Sequence, residues 1–229
     1  MANFLRLLVG LSLLPMCWGV SCAFVDAIII AAGASGWMNA EALSLFGGIA
    51  AFAMCWFALS HPVRMYVLGH ELTHALWGLL FGARPSDVRV SATGGSVRLT
   101  KSNMLITLAP YFFPFYTFVV VVAALVTFAF LRPLPFLPLW LFLIGFTWAF
   151  HILFTLETLT QRQPDVKLYG RVFSWTIIFL ANLALVLVWL ASTTPLTFAQ
   201  LAGFLIHRIG DAYAAILDLV VSLVLLLRN

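Results

Sequence analysis

His70 and His74 stand four residues apart, and Glu71 follows the first, in the run His70-Glu71-Leu72-Thr73-His74. On a helix, positions i and i+4 share a face, so both imidazoles can reach one metal ion. Glu71 projects beside them, where a carboxylate can act as base toward a water activated by that metal. The chain holds 5 His and only three Glu (Glu41, Glu71 and Glu157) in 229 residues. At that scarcity an HExxH run arises by chance on the order of once in several hundred such chains. The structural alternative is a pair of core histidines with a glutamate partner. It would bury three polar groups in an apolar helix at a cost of several kcal/mol with nothing gained.

Two histidines do not complete a catalytic zinc site, which takes three protein ligands. The residues after the motif, Ala75-Leu76-Trp77-Gly78-Leu79-Leu80, supply no further His, so the third ligand is distant. His151, Glu157 and Asp165 are the candidates. Asp165 fits best, since it follows Pro164 in a polar segment with only Arg162 and Lys167 as neighbouring charges. A solvated loop acid or a helix cap would look the same. His151, between Phe150 and Ile152, also suits a role beside a ligand or a substrate.

The elements that must position these residues belong to a membrane protein. Hydrophobic residues make up 63% of the chain and charged residues 9%, where a soluble domain carries roughly a quarter charged. We expect an all-α polytopic membrane protein: one transmembrane domain over 1–229, about six or seven helices and a short membrane-associated β-hairpin. Spans of about 20 apolar residues fall near 7–31, 42–60, 63–82, 104–131, 139–156 and 172–191, with a last helix over 198–228. The first is read as a retained span, because it is longer than the apolar core of a secretion signal. Asp26 interrupts it and is expected to face protein. Pro110 and Pro114 should break the fourth span near its start. Residues 83–101 are polar and β-prone. Val88-Arg89-Val90 and Val97-Arg98-Leu99 flank Thr93-Gly94-Gly95-Ser96, a hairpin signature over about 86–101. His207 and Asp211, four apart on the last helix, read with Arg208 as polar packing. Cys17, Cys22 and Cys55 form no CxxC and read as small core residues.

Basic residues set the expected sidedness. Arg84, Arg89, Arg98, Lys101, Arg162, Lys167, Arg171 and Arg228 fall on one side, against Arg6, Arg64 and Arg132 on the other. The hairpin side is therefore expected to be cytoplasmic. The net charge of +4 is spent on topology, and no nucleic-acid partner is indicated. No oligomeric state is assigned.

Gly69-His70-Glu71-Leu72-Thr73-His74-Ala75, then Phe81-Gly82-Ala83, then Gly94-Gly95, then Leu108-Ala109-Pro110 and a later aspartate resemble the site-2 protease family of intramembrane zinc metalloproteases. The resemblance covers about residues 60–175 and is nearest a compact bacterial subgroup with a Gln-Pro-Asp segment. It implies a zinc endopeptidase of a bacterial inner membrane, ligated by His70, His74 and Asp165, with Glu71 as base and a transmembrane protein as substrate. The family's Asn-Pro-x-x-x-x-Asp-Gly is absent, since Val166 follows Asp165. Its substrate-holding Asn has Gln163 or Gln161 as the nearest counterpart. No PDZ-like module is present, so substrate selection falls to the membrane core.

The expected reaction is hydrolysis of a peptide bond in or beside the lipid bilayer, with the substrate helix unwound locally to free its carbonyls. Hairpin residues Val88, Val90, Val97 and Leu99 offer strand edges on which that segment can pair. The rival readings are a transporter, a helix-binding scaffold that keeps the metal motif, or a non-haem iron site in the same ligands. No internal repeat of the transporter type is seen, and Glu71 beside the first His favours zinc hydrolysis.

Overall fold

The computed structural model describes residues 2–35, 39–91, 94–161 and 163–228. Thr93 of the hairpin signature and Arg162 of the charge count lie outside them. The described residues form ten α-helices, one 3-10 turn and two strands. Five helical stretches are long and apolar enough to cross a membrane, and six if one bent pair is counted as a span. Helix α4 (Val63–Leu80) is not among them. Arg64, His70, Glu71 and His74 lower its hydropathy, so the count is five or six, against the six or seven read from sequence.

The chain falls into two compact units, Met1–Gly36 with Val166–Asn229, and Trp37–Asp165. The first holds α1 (Ala2–Ser12), α2 (Leu14–Ser35), α9 (Arg171–Thr193) and α10 (Phe198–Arg228). Pro15 has no N–H to give Leu11, and α1 and α2 meet at an irregular Leu13. The core of this unit is Val20, Ala27, Leu187, Leu190, Leu196 and Leu201. An unpaired acid within a membrane helix costs about 2.5–3.5 kcal/mol. Asp26 avoids this through two bonds to Arg208 of α10, from Nε at 2.7 Å and Nη2 at 2.9 Å. His207 Nδ1 reaches Asp211 Oδ2 at 2.8 Å on the exposed side of the same helix. The three cysteines are unpaired and half-buried.

The second unit carries the HExxH helix. Helices α3 (Ala40–Ala58) and α7 (Leu137–Thr160) form its backing. They touch backbone to backbone: a Cβ on Gly145 would lie 2.1 Å from the Leu45 carbonyl oxygen, and one on Gly48 would lie 2.0 Å from that of Phe142. Their faces bury Phe52, Ala149, Phe150 and Phe154, with Tyr66 and Tyr116 packed on that cluster. The fourth apolar stretch is broken, as its prolines require. Helix α5 (Met104–Leu108) and the 3-10 turn Ala109–Tyr111 lead into α6 (Phe115–Phe130) at an 84° bend.

Strands β1 (Pro85–Ser91) and β2 (Gly94–Leu99) pair antiparallel, from Pro85 with Leu99 to Ser91 with Gly94. The register slips between Ser86 and Arg89, where Asp87 takes a positive φ of 50° and its carboxylate meets Arg98 at 2.9 Å. The Gly94-Gly95 pair is not the turn, as its sequence suggests; it opens β2. The reason is close approach. A Cβ on Gly95 would lie 2.6 Å from Val67 Cγ1 and 2.7 Å from Glu71 Cγ, so glycine lets β2 lie against α4.

Candidate metal centre

Helix α4 presents His70 and His74 on one face, one turn apart, with ring centroids 4.9 Å apart. Asp165 comes to them from the first turn of the short helix α8 (Pro164–Tyr169). Its Oδ2 lies 3.6 Å from His70 Nε2 and 3.6 Å from His74 Nε2. One ligand atom from each of the three residues lies within 4.8 Å of the others. A tetrahedral zinc with bonds of about 2.0–2.1 Å holds its ligand atoms about 3.3 Å apart. Asp165 Oδ2 therefore lies within a few tenths of an ångström of that spacing from each imidazole. Two imidazoles and a carboxylate suit zinc and also non-haem iron.

Each supporting contact has an identifiable source. His74 Nδ1 is 2.9 Å from the Ile106 carbonyl oxygen, which takes its N–H and leaves Nε2 free on the Asp165 side. Tyr111, with no exposed surface, donates its hydroxyl to Asp165 Oδ2 at 3.1 Å. His70 packs edge-on against the Tyr111 ring at 5.3 Å. Its Nδ1 is buried without a hydrogen-bond partner among the described residues. Burial pushes the Asp165 carboxyl up, but the imidazoles of His70 and His74, each 3.6 Å away, outweigh that and hold it well below the usual carboxylate range. Asp165 is thus ionised at neutral pH, the state in which a carboxylate ligates.

Comparisons with family models, curated proteins and solved structures found no significant match. The geometry of the centre is therefore the ground for a functional reading.

Glu71 is 6% exposed, and its Cγ lies against Gly95 of β2. The Val97 N–H donates to its carboxylate. This sets the carboxylate beside the histidines yet outside the group of three, as a base rather than a ligand would be. The other sequence candidates separate from the centre. His151 is buried on α7 and shares the wall of a small cavity with His70, Tyr66 and Thr73, so it neighbours the site without joining the three. Glu157 lies 3.7 Å from His61, which stacks on Trp56. Gln163 is half-buried ahead of α8, and its backbone N–H donates to Gln161 at 3.1 Å. Val88 and Val90 are exposed on β1, while Leu99 packs toward Gly78 of α4. Tyr111 and Ile106 are the residues that sequence reasoning missed. The available signal was Pro110, which read only as a kink.

Proposed function

We propose that this protein is a zinc-dependent intramembrane endopeptidase of the site-2 protease kind, cutting transmembrane proteins in a bacterial inner membrane. The observation that carries the reading is the convergence of Asp165 on the paired imidazoles of α4, with Glu71 beside them. Apolar helices around the centre fit a site within or beside the bilayer. The excess of basic residues near the hairpin supports a cytoplasmic opening, with α4 as an additional helix at membrane depth shielded by its neighbours.

His70, His74 and Asp165 would hold the ion. Bound there, zinc supplies Lewis acidity, which lowers the pKa of water to about 7 and polarises a carbonyl. Glu71 takes a proton from the attacking water as its oxygen bonds to the scissile carbon. It returns that proton to the amine as the C–N bond breaks. The Val97 amide holds Glu71 in place for both transfers. The direct test is cleavage of a model transmembrane peptide by the purified protein in vesicles. We expect cleavage that stops with a chelator and returns with added zinc. Cleavage unaffected by chelation would refute the reading.

The hairpin supplies the substrate's place. The Val97 N–H reaches Glu71 and Gly95 lies against it, so β2 runs beside the base. An unwound segment added along that strand brings its peptide bonds to Glu71. Proline at Val97 removes the N–H that holds Glu71, a loss worth roughly tenfold in rate, and zinc content should stay unchanged. Full cleavage by Val97→Pro would show that this amide does not position the base.

A further inference from the structure

We propose that the helix break at Pro110 is an orienting clamp: it frees the Ile106 carbonyl for His74 and, one residue on, aims Tyr111 at Asp165. This rests on the reading above that His74 and Asp165 are ligands. Its structural part stands on this chain's own hydrogen bonds.

In an unbroken helix the carbonyl of residue 106 accepts from the N–H of residue 110. Residue 110 is proline and has no N–H. Ile106 is 1% exposed, so water cannot replace the missing donor. A buried carbonyl left unpaired costs about 1–3 kcal/mol, and His74 Nδ1 is the group that meets it, at 2.9 Å. The bond fixes the proton on Nδ1 and leaves the Nε2 lone pair toward Asp165. Ile106 is held from its other side as well: its own N–H donates to Asn103 Oδ1 at 2.9 Å, and Thr107 Oγ1 donates to the Asn103 carbonyl at 2.9 Å. The carbonyl therefore cannot drift.

The turn that proline enforces then places Tyr111. Its ring is fully buried and its hydroxyl reaches Asp165 Oδ2. Residues 106–111 thus orient two of the three ligands, each through a group that is not itself a ligand. They touch His70 only through the Tyr111 ring and give it no hydrogen bond, its Nδ1 finding no partner among the described residues. That asymmetry gives the idea an internal control.

The experiment compares three full-length proteins in detergent micelles: wild type, Pro110→Ala, and a chain with lactic acid at position 110. Alanine restores an N–H that competes for the Ile106 carbonyl. Lactic acid has alanine's shape but an ester oxygen in place of the N–H. Nitrogen-15 shifts of the imidazoles, read without metal at a pH where both are neutral, report the tautomers. Wild type and the ester chain should show His74 protonated on Nδ1, and Pro110→Ala should lose that single tautomer while His70 is unmoved. By chelator competition, zinc affinity should fall about 10–100-fold in Pro110→Ala and in Tyr111→Phe, the range for partners of metal-bound side chains. It should stay within about threefold in the ester chain. Equal behaviour of the alanine and ester chains would overturn the proposal, because ring shape and not the missing N–H would then matter. So would a wild-type His74 protonated on Nε2. If the tautomers behave as stated and no chain binds zinc, the clamp stands and the protease reading fails.

Discussion

Asp165→Ala is expected to leave this protein without zinc. Wild type should carry about one zinc per chain by elemental analysis, and His70→Ala and His74→Ala should lose it too. The expectation follows from geometry: the Asp165 carboxylate is the only oxygen ligand brought within 4.8 Å of both histidines among the described residues. With it gone, two imidazoles remain, fewer than the three protein ligands of a catalytic zinc site. The loss should exceed the roughly 10–100-fold weakening caused by changing an outer partner. His151→Ala provides the contrast. His151 borders the cavity beside His70 but supplies no atom to the group of three, so its zinc content should match wild type. Full zinc in Asp165→Ala would disprove the ligand assignment.

The two histidines were legible because their relation is local: a four-residue spacing on a helix fixes a shared face whatever the rest of the fold does. Asp165 was not legible in that way. Spacing left His151, Glu157 and Asp165 open, and only the approach of Asp165 to His70 and His74 separates them. The residues that brace this group of three were harder still. A backbone carbonyl such as that of Ile106 carries no residue type to read, and Tyr111 sits among phenylalanines where aromatic abundance looks like lipid-facing material. Gly94-Gly95 misled for a physical reason. Glycine serves a tight turn and a close approach equally well, and here Gly95 answers to Val67 and Glu71 across the gap to α4. Asp26 and Arg208 were each visible as polar intruders in apolar helices. Their pairing spans 182 positions and is set by how α2 packs on α10. The hairpin and the broken fourth stretch were legible because strand alternation and proline act locally.

Glu71→Gln should separate metal binding from chemistry. Glutamine matches glutamate in length, and its Oε1 can still accept the Val97 N–H, so the side chain stays against β2. The three proposed ligands are untouched, and zinc content should equal that of wild type. What glutamine lacks is a basic oxygen able to take a proton from water. Losing a positioned general base lowers rates by about 10²–10⁴-fold, and cleavage of a transmembrane peptide should fall by at least that much. Glu71→Asp sharpens the argument. Aspartate keeps the base but draws it back by one methylene, about 1.5 Å, away from the Val97 amide, which is enough to cost on the order of 10²-fold. A graded series, wild type above aspartate above glutamine at constant zinc, would identify Glu71 as the proton carrier. If glutamine cleaved as fast as wild type while zinc stayed bound, the base would lie elsewhere, and the close fit of Glu71 against Gly95 would be packing alone.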